Sequence, residues 1–98
     1  MTYAFTQDVP IDQATYERIV AGLGPELPPG LVCHVAIARP EGGLRYIDVW
    51  ETEADSETFA ETRLHPVVHP MLAAVFGDDK VPDEPERAPI DVIHVWHA

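Results

Sequence analysis

Apolar positions change period several times along the chain, and each change marks an element boundary. Tyr3–Val9 is a short run with aromatic and β-branched residues, halted by Pro10, which predicts a first strand. From Ile11 the period lengthens. Tyr16, Ile19, Val20 and Leu23 recur at helical spacing, Asp12 is placed to accept from the free amides of the first turn, and Gly22 and Gly24 stop the helix. Ile11 is positioned to pack on Tyr16 as a hydrophobic staple. Leu31–Ala38 is nearly all apolar and β-prone, Arg39-Pro40-Glu41-Gly42-Gly43 supplies a reversal, and residues 44–51 resume as a strand. This pattern predicts a β-hairpin. Thr52-Glu53-Ala54-Asp55 has the capping-box pattern, and Phe59, Arg63, Pro66, Val67, Pro70, Ala73 and Phe76 continue at three- and four-residue spacing. Pro66 and Pro70 each remove an amide inside this second helix, which predicts a bend or break near His65. Residues 90–96 predict a fourth strand. The Pro-rich stretches 24–30 and 77–89 predict loops, the second a solvated acidic flap or spacer.

The resulting order, βαββαβ, is the split βαβ pattern of α+β ferredoxin-like folds: a four-stranded antiparallel sheet with two helices on one face. The other face is not polar. Ile47 and Val49 alternate with Tyr46 and Trp50, and Ile93 and Val95 alternate with Val92 and Trp96, so both sides of the sheet need cover. Stacking the open faces of two copies supplies it, which predicts a homodimer with a self-complementary two-fold interface.

Composition narrows the functional classes. The 98 residues fit one domain spanning 1–98, with hydrophobic and charged fractions of 46% and 23% that are ordinary for a globular protein. A net charge of −11 repels phosphate backbones and anionic lipid, so neither nucleic acid nor a membrane surface is an expected partner. No apolar run is long enough to span a bilayer, and residues 1–8 lack the basic and apolar regions of a secretory signal, so a cytoplasmic home is expected. Cys33 is the single cysteine, lies in the apolar run of the hairpin, and reads as a small buried hydrophobe.

Two constellations carry candidate chemistry. Glu61, His65 and His69 are spaced four and four, and on an unbroken helix they share a face; they read as metal or haem ligands, as a general base lining a pocket, or as an exposed helix face. Tyr46, Asp48 and Trp50 point to one side of their strand, and His34 alternates against Cys33, Val35 and Ile37 on its neighbour. If these sets share a face, an imidazole, a carboxylate, a phenol and an indole converge in an apolar setting able to bind and deprotonate a phenol. The competing reading is a set of hydrogen-bonded core residues. No nucleophile elbow, phosphate loop or cysteine cluster is present.

The stretch Gly43-Leu44-Arg45-Tyr46-Ile47-Asp48-Val49-Trp50-Glu51-Thr52, followed by an acidic capped helix start and Phe59, resembles the dimeric α/β-barrel superfamily, in particular antibiotic biosynthesis monooxygenase-like domains. The resemblance implies a homodimer whose sheets close into a barrel, with a cleft for a hydrophobic small molecule between helices and sheet. It implies a cofactor-independent monooxygenase or isomerase acting on an aromatic or polyketide-like substrate, with no cofactor and no metal. Gln7, His65 and His69 are then the residues expected to orient and deprotonate substrate, and His34, Tyr46, Asp48, Trp50 and Phe59 those expected to bind it. Haem-degrading members place an amide on the first strand and a tryptophan and histidine on the second helix. Gln7 and His65 or His69 match two of these, but the second helix here has no tryptophan. A non-catalytic ligand-binding or structural dimer is the alternative, and a haem or metal binder through His65 and His69 a further one.

Overall fold

The computed structural model of the chain describes residues 2–77 and 84–96; residues 78–83 of the predicted acidic flap, and His97, lie outside the described residues. In order, the elements are β1 (Tyr3–Val9), α1 (Gln13–Leu23), β2 (Leu31–Ala38), β3 (Leu44–Trp50), α2 (Glu53–Phe59), a π-helical turn (Ala60–Leu64), α3 (His65–Phe76) and β4 (Arg87–Pro89). The strands form one antiparallel sheet in the order β2-β3-β1-β4, an α+β arrangement compatible with a ferredoxin-like fold.

Local chemistry sets the boundaries. The Thr15 amide donates to Asp12 Oδ1 at 2.8 Å, and Gly24 at φ +84° releases the chain from α1. The Asp55 amide donates to Thr52 Oγ1 at 3.1 Å at the start of α2. The β2–β3 reversal runs through Gly42 and Gly43 at φ +102° and +76°. A side chain at Gly43 would place its Cβ 2.7 Å from the Val9 carbonyl oxygen, so the turn is fitted against the end of β1.

Register then assigns the two faces. Phe5, Gln7 and Val9 of β1 lie opposite Asp48, Tyr46 and Leu44 of β3, and Asp48 and Tyr46 lie opposite His34 and Ala36 of β2. This face carries the helices: the Phe59 ring of α2 sits 5.4 Å from Trp50, and Tyr16 of α1 reaches His34. Phe5, Val9, Leu44 and Trp50 are buried here, and Ile19 is buried on α1. The opposite face presents Cys33, Val35, Ile37, Ile47 and Val49. Val35 and Ile37 keep 44% and 41% of their surface exposed.

The interruption expected near His65 takes a definite form, and one expectation, the place of the fourth strand, needs correction. The second helix is not a single α-helix, because the His65 amide bonds to the Ala60 carbonyl five residues back, and this wide turn delivers the chain to Pro66 at the start of α3. The fourth strand lies at Arg87–Pro89, inside the stretch predicted to be loop, rather than at residues 90–96. Proline is tolerated because β4 is an edge strand. The register that pairs Phe5 with Pro89 puts Ile90 opposite Ala4, whose carbonyl accepts from the Ile90 amide at 3.0 Å. One residue later β1 runs out at Tyr3, so residues 92–96 have no strand to pair with among the described residues. Ile93 and Trp96 are consequently 93% and 89% exposed.

Candidate active site

Helix α3 is strongly apolar, yet none of its residues is buried. The reason is a cleft of about 890 Å³ between α1, α3 and the helix-bearing face of the sheet. Ile19 from α1, Val68, Met71, Leu72 and Phe76 from α3, and Val9 from β1 make its apolar wall. Gln7, Tyr46, His65 and His69 add polar groups to it. Gly22 permits the α1–α3 packing beside the cleft, since a Cβ there would lie 2.8 Å from Val67 Cγ1.

At one end of the cleft a polar cluster joins four parts of the chain. The buried Gln7 amide donates to the Pro85 carbonyl at 2.8 Å and to Glu84 Oε1 at 3.3 Å. His65 Nε2 lies 3.3 Å from Glu84 Oε2, and Arg87 Nη2 donates to Glu84 Oε1 at 2.9 Å. Arg87 Nη1 donates to Ser56 Oγ at 3.3 Å, and its guanidinium lies 4.8 Å over the Phe5 ring. Burial pushes the Glu84 carboxyl up, but the Arg87 guanidinium, the Gln7 amide and His65 outweigh it and hold the group below the usual carboxylate range. Glu84 thus couples two of the predicted catalytic residues, Gln7 and His65. His69 lies one turn further along the same wall.

The second cluster arises from sheet register. His34 and Asp48 face each other across β2 and β3, and His34 Nδ1 meets Asp48 Oδ1 at 2.5 Å. The other carboxylate oxygen accepts from the Trp50 indole at 3.2 Å. On the far side of the imidazole, Tyr16 Oη is 2.9 Å from Nε2. The Tyr46 ring meets the His34 ring edge-on at 5.1 Å. Burial, with the Asp48 charge, raises the Tyr16 phenol above its ordinary value; burial, with Tyr16 and Asp48 nearby, raises Tyr46 further. Tyr46 therefore belongs to both groups, forming cleft wall on one side and touching the His34 cluster on the other.

The eight predicted residues separate by position. Gln7, Tyr46, His65 and His69 line the cleft, and His34 and Asp48 stand behind Tyr46. Trp50, only 1% exposed, has no surface to offer a substrate and instead anchors Asp48. Phe59 is sandwiched between Trp50 and Arg63, beside a pocket of about 60 Å³ that is too small for an aromatic ligand. Glu61, His65 and His69 do not converge: among the described residues no three histidine, cysteine or acidic side chains are grouped to hold a metal. The π-helical turn between Glu61 and His65 breaks the four-residue phasing. Tyr16, Glu84 and Arg87 were not among the predicted site residues. For Tyr16 the signal was a phenol on the buried stripe of an amphipathic helix, which needs a polar partner. For Glu84 and Arg87 only an i,i+3 charge pair inside a Pro-rich stretch was visible. Among the described residues, no helix is long and apolar enough to cross a membrane. No family model, curated protein or solved structure matches the chain.

Proposed function

We propose that this chain is a cofactor-independent monooxygenase-like or isomerase-like enzyme that takes a hydrophobic, aromatic or polyketide-like small molecule into the helix-side cleft. The observation that carries this reading is an apolar helix with no buried residue facing a cleft of about 890 Å³. That size is within the roughly 300–1,000 Å³ of small-molecule sites, and an apolar wall with a few converging polar groups is their usual lining. Gln7 and His65, tied through Glu84, and His69 beside them place an amide and two imidazoles at the wall, and the imidazoles can accept a proton. Removing a proton from a phenol or an activated methylene leaves an electron-rich anion. That anion either reacts with dioxygen directly or is reprotonated at another carbon, so the protein's task is to bind, orient and hold the proton.

The working unit in this reading is a homodimer. Val35 and Ile37 on the open sheet face, and Ile93 and Trp96 on a tail that has run past β1, are large apolar groups left in water by the single chain. A second copy supplies the same apolar surface to each, and a two-fold arrangement covers both faces at once.

Oxygen uptake and product analysis with anthrone- and quinol-type substrates test the proposal. The expected result is turnover that falls by roughly 10²-fold or more in His65→Ala or His69→Ala, the scale of a lost general base. Ligands that raise the melting temperature without any turnover across the panel would contradict it and favour a binding module. A Soret band after haem reconstitution that depends on His65 would contradict it in the other direction.

A further inference from the structure

We infer that His34, held by Asp48, takes the proton of a phenolic or enolic ligand, and that the Tyr16 hydroxyl occupies the ligand's place until the ligand arrives. This rests on the reading that the cleft binds an aromatic molecule, and it adds to the α3 histidines a second base, on the sheet, for the ligand's hydroxyl proton. Asp48 is 8% exposed, and its two oxygens meet one imidazole nitrogen and one indole nitrogen. An ionised carboxylate can only accept, so the imidazole must carry its proton on Nδ1. That tautomer leaves the Nε2 lone pair free, and Nε2 faces a phenol at 2.9 Å. The molecule therefore already holds one phenol on this nitrogen. The Tyr16 ring lies near parallel to the imidazole, at 15° and 6.1 Å, as a flat aromatic ligand would.

The path to the cleft is short. Thr15 and Ile19 on either side of Tyr16 line the cleft, and so does Tyr46, whose ring touches that of His34. Swinging the Tyr16 side chain aside brings a ligand hydroxyl to Nε2 with its ring against Tyr46. In the transfer the ligand O–H bond breaks, an N–H bond forms at Nε2, and the electron pair stays on the ligand oxygen. The resulting imidazolium is flanked by Asp48 on one side and by the ligand anion on the other. Asp48 and Trp50 are positioning residues: Asp48 fixes the tautomer, and the Trp50 indole fixes Asp48.

The probe is 2-naphthol, whose anion absorbs at longer wavelength than the neutral form. At neutral pH, Tyr16→Phe removes the internal competitor and is expected to bind the probe about tenfold more tightly than the unsubstituted protein, with a naphtholate band on the bound probe. His34→Gln in the Tyr16→Phe background should abolish the band while leaving affinity within about threefold of that of the unsubstituted protein. Asp48→Asn, which keeps size and shape, should weaken the band. Unchanged affinity in Tyr16→Phe, absence of the band there, or a band that survives His34→Gln would each overturn the inference. Imidazole ¹⁵N shifts of the unsubstituted protein give a second reading: a proton on Nδ1 is expected, and a proton on Nε2 would overturn it. Leu72→Trp in the Tyr16→Phe background puts a bulky ring into the α3 wall of the cleft, a wall to which His34 does not contribute. Loss of binding in that variant supports both readings, whereas an unaffected naphtholate band keeps His34 as the base and sinks the cleft.

Discussion

Tyr46 is the residue on which the two clusters meet, and its phenol is the one most shifted from its ordinary state. Burial is the main cause, and the neighbouring Tyr16 and the Asp48 charge act in the same direction. A phenol whose folded value lies above its free value of 10.0 keeps a proton that the unfolded chain would release. Its contribution to stability is therefore complete below pH 10 and is lost as the pH rises through the folded value. Urea unfolding followed from pH 8 to 11 should show stability falling more steeply above pH 10 in the unsubstituted protein than in Tyr46→Phe. Parallel pH dependences would contradict this. At this scale the sequence made the chemistry legible but not its location. His34, Asp48 and Tyr46 could be grouped by strand parity, yet both parities of each strand are apolar, so which face received the helices depended on long-range register.

Among the elements, the hairpin is the most tightly specified. Its reversal was readable from paired glycines, and the reason is steric: Gly43 sits at φ +76° with the Val9 carbonyl oxygen where a methyl group would go. Gly43→Ala is expected to cost about 1–2 kcal/mol or more, read from the denaturation midpoint, because both backbone strain and the close contact act against it. A neutral result would show that the turn rearranges freely. β1, β2 and the start of α1 were legible for similar local reasons, each having a proline, a cap or a glycine at its boundary. The β4 strand was not, since Arg87–Pro89 has no apolar run and its pairing exists only because β1 presents a free edge. Nor was the π-helical turn legible, because a prolyl residue predicts a disturbance but not whether it is met by a kink or by a wider turn.

For the whole molecule, the proposed homodimer rests on the apolar groups that the single chain leaves exposed. Sedimentation at micromolar concentration should report about twice the 10.9 kDa of a single chain, and Ile37→Glu should shift it toward the monomer by burying a charge in the proposed interface. A monomer at those concentrations would contradict the dimer while leaving the cleft intact, since the cleft is lined by residues of one chain. Its walls come from α1, α3 and the sheet, so ligand binding can be followed residue by residue. Backbone and methyl chemical shifts recorded while an anthrone-type ligand is titrated should move at Ile19, Tyr46, Val68 and Leu72 and stay fixed at Val35 and Ile37. Shifts confined to Val35 and Ile37, or no saturable shifts at all, would contradict the assignment of the helix-side cleft as the site of function.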